Sequence, residues 1–102
     1  MAKIKTIKLG YKNYTIKKPK KISEFSGEYY GTCDNHKTVI RIADKFCKDI
    51  KNQCFIHEIL HCLCHQFGLL ELNKDEHTID LLAKGIYEAI KDNPNIFTMA
   101  DI

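Results

Sequence analysis

Phe55-Ile56-His57-Glu58-Ile59-Leu60-His61-Cys62-Leu63, residues 55–63, is the stretch on which the expected fold and chemistry depend. It holds the pattern H-E-x-x-H within an apolar segment, and residues i and i+4 of an α-helix project from one face. His57 and His61 can therefore bind one metal ion. Glu58 lies about 100° around the helix from His57, where it can serve as a general base toward metal-activated water. The simpler alternative is a helix whose histidines lie at the surface or the edge of the core.

The composition indicates one globular domain spanning residues 1–102. Hydrophobic residues make up 44% and charged residues 28% of the chain, which is ordinary for a globular protein. No apolar run approaches the roughly 20 residues that span a bilayer, and residues 1–5 lack the apolar core of a signal peptide. The five cysteines form no C-x-x-C pair, which favours reduced thiols. A cytoplasmic protein without membrane attachment is expected.

The positive charge is concentrated near the N-terminus. The net charge is +3, and eight lysines lie between Lys3 and Lys21, with no acidic residue before Glu24. Such a patch can bind an anionic partner such as nucleic acid, or it can protect the exposed edge of a sheet. Arg41 is the only arginine, which leaves little for bidentate recognition of phosphate or guanine. We therefore favour edge protection and disfavour a nucleic-acid partner.

The first half of the chain predicts a small antiparallel sheet made of two hairpins. Residues 3–18 form the first hairpin, with a turn near Gly10 or Lys12-Asn13. A connector over residues 20–27, anchored by Phe25, leads to the second hairpin. Its strands are Glu28–Cys33 and Thr38–Ile42, with the turn at residues 34–37.

The second half predicts two main helices. Asp44 or Asp49 is expected to cap the motif helix, and Gly68 to end it. The core face of this helix is expected to carry Ile56, Ile59, Leu60, Leu63 and Phe67.

The second helix is expected over Lys74–Lys91, with Asn73 as N-cap in a capping box with Glu76. Its expected apolar face carries Ile79, Leu82, Ile86 and Ile90. Together with the two hairpins, these helices predict an α+β fold.

The second helix is also the expected source of the third metal ligand, because catalytic zinc commonly has three protein ligands and one open position. His65 lies about 12 Å along the helix axis from His57, too far to share one ion, and is expected at the rim. The unit Glu76-His77-Thr78-Ile79-Asp80 places the carboxylates of Glu76 and Asp80 on one face. Glu76 is the expected ligand, and Asp80 the expected acceptor for the free N–H of a ligating histidine.

Two alternative ligand sets remain open at the level of sequence. His77 could replace Glu76 as the third ligand. His61 and Cys64, three residues apart, could instead belong to a structural zinc site, since thiolates bind zinc well. The longer pattern H-E-x-x-H-x-x-G-x-x-H does not fit, because Leu63-Cys64 occupies the place of its glycine and Phe67 that of its third histidine.

His57-Glu58-x-x-His61 followed by Glu76-x-x-x-Asp80 resembles the ligand arrangement of gluzincin metallopeptidases. The chain is similar to small phage and prophage proteins of Gram-positive bacteria, and more loosely to ImmA/IrrE-type peptidase domains. The similarity is carried by the Ile7–Ile16 strand pair, Tyr30-Gly31, Thr38–Ile42, the motif helix, Leu82–Tyr87 and Asp92-Asn93-Pro94. It implies a minimal zincin-like fold in the cytoplasm of a bacterial host. It also implies that the Thr38–Ile42 strand borders a peptide-binding groove.

The expected function is a zinc-dependent metallopeptidase that hydrolyses a peptide bond of an unidentified protein. Zn²⁺ would be held by His57, His61 and Glu76, with Glu58 as general base. The donor to the tetrahedral oxyanion is open. Tyr87 and His65 are candidates for that role or for the rim, and His36 and Tyr30 are further candidates for the donor. The alternative is a non-catalytic zinc-binding interaction module of phage origin, in which the ion supports a small core. The sequence does not determine the oligomeric state.

Overall fold

A computed structural model describes residues 5–24 and 27–96 of the chain. Six strands precede three helices, and this confirms the expected α+β class. In chain order the elements are β1 (Thr6–Leu9), β2 (Lys12–Lys17), β3 (Ile22–Glu24), β4 (Gly27–Tyr29), β5 (Gly31–Asp34), β6 (Val39–Ile42), α1 (Lys48–Phe67), α2 (Leu70–Lys74) and α3 (Glu76–Asp92). None of the helices in this part of the chain combines the length and the apolar character that crossing a membrane requires.

The main sheet has four strands in the order β1-β2-β6-β5, so β6 is internal and β5 lies at an edge. Both expected hairpins form, since β1 pairs with β2 and β5 with β6 in antiparallel fashion. The expected all-antiparallel sheet is wrong, because β2 and β6 join the hairpins in parallel, with Ile16 opposite Ile40. Alternation along each strand predicts its buried face but carries no information about which strands meet.

The predicted strand Glu28–Cys33 is split at Tyr30. Its first part is β4, which pairs with β3 in a separate two-stranded sheet, and its second part is β5. The expected connector over residues 20–27 therefore contains a strand, whose Ile22 is 3% exposed. Phe25, the expected anchor of this connector, lies outside the described residues.

Helix α1 packs across the inner face of the main sheet. The central cluster of buried side chains is Leu9, Tyr14, Ile40, Ile42 and Cys62, against which Ile59 and Leu63 are partly buried. Phe67, expected on this face, is instead 67% exposed. It is the last residue of the helix.

The ends of the helices differ from expectation in two places. Gly68 ends α1 in the left-handed conformation (φ 73°), as predicted, and Leu69 N–H donates to Cys64 O at 2.9 Å. At the other end of α1, Cys47 is the N-cap, so neither expected aspartate caps the helix.

Helix α3 begins two residues later than predicted. Its N-cap is Asp75, whose Oδ1 accepts from Thr78 N–H at 3.1 Å. Asn73, the predicted cap, belongs to the short helix α2. Because α2 lies between α1 and α3, Asn73 contacts His61 of the motif helix and does not cap α3.

The face of α3 that packs on α1 is also rotated from the predicted one. Ile79, Ala83 and Tyr87 are buried, whereas Leu82 and Ile86 are 42% and 36% exposed. Ala83 is small and allows the two helices to approach closely, so α3 turns this stripe toward α1.

Gly31 in β5 sets the distance between the edge of the sheet and α1. A Cβ atom at this position would lie 2.5 Å from Cys54 Sγ and 3.0 Å from Arg41 O. Since one of these neighbours is backbone, a side chain here would push β5 away from the motif helix.

We therefore expect Gly31→Ala to reduce the free energy of unfolding by about 1–3 kcal/mol, the usual cost of overpacking. Urea denaturation would measure this change. Gly85→Ala is the matched control, because a Cβ there meets no atom within 4 Å among the described residues. Equal stability of the Gly31 variant and wild type would contradict this account of β5.

Candidate metal centre

The two motif histidines project from adjacent turns of α1 toward the same point. Their Nε2 atoms lie 3.2 Å apart, and both side chains are largely buried. The i, i+4 spacing of the motif determines this arrangement, because it places both imidazoles on one side of the helix. Two nitrogen lone pairs are thus available to one ion.

Glu76 brings a carboxylate to the same point from the first turn of α3. Its Oε1 lies 2.6 Å from His61 Nε2, and its Oε2 lies 3.1 Å from His57 Nε2. In the described part of the chain, His57, His61 and Glu76 form one group whose donor atoms all lie within 4.8 Å of one another. With metal–ligand bonds of about 2.1 Å, donors of a tetrahedral site are about 3.4 Å apart. With pairs of donor atoms 2.6, 3.1 and 3.2 Å apart, the three side chains are close enough together to hold a single ion.

The remaining ring nitrogens contact two different partners. His61 Nδ1 lies 2.6 Å from Asn73 Oδ1, and His57 Nδ1 lies 3.6 Å from Asp80 Oδ1. An acceptor at Nδ1 favours the tautomer that carries its proton there and leaves Nε2 free to bind a metal. His61 is therefore oriented from outside the donor group by an amide, whereas the Asp80 carboxylate lies beside His57 at an ion-pair distance longer than a hydrogen bond.

Glu58 is the buried acid of this region, at 8% exposure. Burial raises the pKa of its carboxyl group to about 8, and the neighbouring Cys33 and Glu76 add to the increase, whereas His61 opposes it. A divalent cation bound to the adjacent histidines would favour the carboxylate and lower this pKa. Glu58 borders the same groove as the donor group.

The donor group lies in an open groove of about 850 Å³ between β5, α1 and α3. The β5 edge strand contributes Gly31, Thr32 and Cys33 to its wall. The resemblance implied that Thr38–Ile42 borders the groove, but that segment corresponds to the internal strand β6, so this implication is wrong. On the helical side the lining includes Ile50, Gln53, Cys54, His57, Glu58, His61, Asn73, Glu76, Asp80 and Lys84.

Of the other candidates, Tyr30 lines the groove, whereas His36, His65, His77 and Tyr87 are not among its lining residues. The Tyr87 hydroxyl donates to Asp49 in the first turn of α1, and this contact raises the pKa of Tyr87. His65 and His77 are exposed, and neither belongs to the metal-binding group found among the described residues. Cys64 is 2% exposed and does not belong to the metal-binding group found among the described residues, so the structure does not support the His61–Cys64 alternative.

Asn73 and Lys84 are the residues of this site that sequence reasoning did not assign. The N-x-x-E spacing from Asn73 to Glu76 suggested a capping box. In the structure Asp75 caps α3, and Asn73 contacts His61 Nδ1 instead. Lys84 lies one turn beyond Asp80, with Nζ 3.2 Å from Asp80 Oδ2. Only the placement of α2 and α3 against α1 identifies these roles.

Comparison of the chain with protein-family models, curated proteins and solved structures gives no match. The interpretation of the groove therefore depends on its own geometry.

We expect Asn73→Ala to weaken zinc binding by about 10-fold, because loss of the partner that orients a ligating histidine typically costs 10–100-fold in metal affinity. Competition with a chromophoric chelator would measure the dissociation constant. Asn73→Asp should keep most of the affinity, since it retains an acceptor for His61 Nδ1. Asn13→Ala, on the exposed side of β2, is the control, and an equal affinity of Asn73→Ala and Asn13→Ala would contradict the role of Asn73.

Proposed function

We propose that this protein is a zinc-dependent metallopeptidase that hydrolyses a peptide bond in a protein or peptide. One observation carries the proposal: His57, His61 and Glu76 converge from two helices on one point, with the buried acid Glu58 beside it in an open groove. Three ligands with an open fourth position are typical of catalytic zinc, whereas structural sites usually have four protein ligands.

The donor set supports zinc as the cofactor. Two imidazole nitrogens and one carboxylate oxygen suit Zn²⁺, and Mg²⁺ or Ca²⁺ would favour oxygen ligands alone. When bound, the ion would supply Lewis-acid activation of water and of the scissile carbonyl group. The Glu76 side chain is 67% exposed, so a substrate could approach an ion bound beside it from solvent.

The proposed role of Glu58 follows from its place in the motif. It lies next to His57 in sequence but contributes no atom to the donor group found among the described residues, so its carboxylate is available for proton transfer. Glu58 would accept a proton from the attacking water and then deliver it to the leaving amine. Its burial excludes competing bulk water from the carboxyl group.

The proposed substrate is an extended peptide that pairs with β5. One edge of β5 pairs with β6, and the other edge is the end of the main sheet. Because residues of this strand line the groove, a peptide added to that edge would pass beside the donor group. Tyr30, exposed at the start of the strand, lines the same groove.

A non-catalytic zinc-binding module is the second candidate. The ligands come from α1 and α3, so one ion would link the two longest helices of a small fold and contribute to its stability. A cytoplasmic location in a bacterial host and a phage origin belong to both candidates. The five free thiols support the location, and the resemblance described above supports both the location and the origin. The two candidates differ at Glu58, which a purely structural site does not need.

We expect purified wild type to contain about one zinc ion per chain, because catalytic zinc is held by three protein ligands as here. Native mass spectrometry or elemental analysis would measure it. Glu76→Ala should lose the ion, and Glu58→Gln should keep it, because Glu58 contributes no ligand. His77→Ala, one residue from Glu76 on the same helix, is the matched control. Zinc that persists in Glu76→Ala and is lost in His77→Ala would contradict the proposed ligand set.

We further expect the zinc-loaded wild type to cleave members of a synthetic library of unstructured peptides, with products identified by mass spectrometry. Glu58→Gln should reduce the rate by about 10²–10⁴-fold, the usual contribution of a general acid–base group, while its zinc content stays the same. A zinc-loaded wild type that cleaves no peptide would contradict the enzyme and favour the binding module. Equal rates for both proteins would contradict the role of Glu58.

A further inference from the structure

Three exposed apolar side chains line the groove that contains the donor group. They are Tyr29, Tyr30 and Ile50, and they are 36%, 56% and 39% exposed. Exposed apolar residues that cluster in a groove are typical of a ligand-binding surface, whereas single ones occur anywhere on a protein. These side chains therefore indicate a part of the groove that binds an apolar group.

The distance of this part of the groove from the donor group follows from helix α1. Ile50 lies in the first turn of the helix, and His57 follows seven residues later. Seven residues correspond to two turns, or about 10 Å along the helix axis. An apolar group beside Ile50 thus lies well away from the reacting atoms.

Tyr30 lies at the same end of the groove because β5 runs in the same direction as α1. A Cβ at Gly31 would lie 2.5 Å from Cys54 Sγ. Two residues further along β5, Cys33 contacts Glu58, which is one turn further along α1. Tyr30 precedes Gly31 and therefore lies toward the start of the helix. We call Tyr29, Tyr30 and Ile50 the apolar end of the groove.

The Tyr30 ring is held in place by the segment that leads to α1. Its centroid lies 4.5 Å from that of the half-buried Phe46, and the two rings are tilted by 44°. The Tyr30 carbonyl oxygen also accepts from Ala43 N–H at 2.8 Å. Such ring pairs are stabilising beyond the area they bury. A ring fixed in this way loses little conformational freedom when a ligand binds against it.

The outer edge of β5 connects the apolar end to the donor group. Gly31 and Cys33 of this strand line the groove, and Tyr30 lies at its start. An extended peptide paired with this edge would pass the donor group and continue to the apolar end. One occupant therefore reaches both parts of the groove.

We propose that the apolar end is a subsite for a large apolar side chain, aromatic or branched aliphatic, of the peptide substrate. The proposal rests on the peptidase function proposed above and specifies its substrate class. An extended peptide advances about 3.3 Å per residue, so the separation of about 10 Å corresponds to about three residues. The recognised side chain therefore belongs to a residue two or three positions from the cleaved bond.

Peptide hydroxamates test the subsite without cleavage, because the hydroxamate group chelates zinc and fixes one end of the peptide at the donor group. Two series would carry this group at the amino or at the carboxyl end, so that both directions along β5 are sampled. Each peptide has one phenylalanine at the first, second, third or fourth position from the hydroxamate, and serine elsewhere. Fluorescence anisotropy with the zinc-loaded protein would measure the dissociation constants.

In one of the two series, phenylalanine at the second or third position should bind about 10-fold more tightly than the all-serine peptide, because an aromatic side chain becomes buried. Equal affinity at all four positions, or a gain at the first position alone, would overturn the proposal.

Substitutions at the apolar end locate this gain. Tyr30→Ala and Ile50→Ala should each remove most of it, while zinc content and the affinity for the all-serine peptide stay the same. Tyr30→Phe should retain the gain, because it keeps the ring. Tyr11→Ala, at an exposed tyrosine outside the groove, is the matched control. A gain that survives both alanine substitutions would overturn the subsite.

These measurements separate the subsite from the peptidase function on which it rests. The expected spacing in a protein that cleaves no peptide would support the subsite as part of a peptide-binding module and contradict the enzyme. Cleavage that is indifferent to the residues two and three positions from the bond would support the enzyme and overturn the subsite. A protein that takes up no zinc would overturn both, and the zinc content measured beforehand identifies this outcome.

Discussion

The antiparallel packing of α3 on α1 is the constraint on which the rest of the site depends. The motif on α1 supplies two imidazoles, and the third donor reaches them only because α3 begins opposite the second half of α1. The small stripe residue Ala83 lets the helices approach, and Tyr87 closes the far end by donating to Asp49. The donor group is thus assembled by helix packing, and its geometry is as rigid as that contact.

The charged groups that line the groove also favour the binding of a cation. The carboxyl groups of Glu58, Glu76 and Asp80 surround two imidazoles, and the cation that borders them is Lys84, which pairs with Asp80. Burial and the neighbouring acids raise the pKa of Glu58, which expresses the cost of placing negative charge there. A divalent ion between the imidazoles and Glu76 would offset that cost. The groove is therefore suited to a metal by its charge as well as by its distances.

The sheet contributes the other wall of the groove through a close contact at Gly31. Because β5 is an edge strand and approaches Cys54 without an intervening side chain, its free edge runs along the proposed metal centre. Thr38–Ile42 corresponds to the internal strand β6, so the role expected of it as border of a peptide groove is proposed for β5 instead. A period-2 pattern identifies a strand and its buried face, but edge and centre depend on pairing between segments distant in sequence.

The sequence by itself determined the local features of this protein. The H-E-x-x-H spacing places His57 and His61 on one helical face, and Gly68 ends the helix because a residue without a side chain adopts the left-handed conformation at little cost. Tertiary structure alone decided the parallel pairing of β2 with β6, the contact of Asn73 with His61 and the exposure of Leu82 and Ile86. Each of these depends on which surfaces meet after the elements have formed. The periodicity of a helix or strand indicates which face is apolar, but it does not indicate which other element packs against that face.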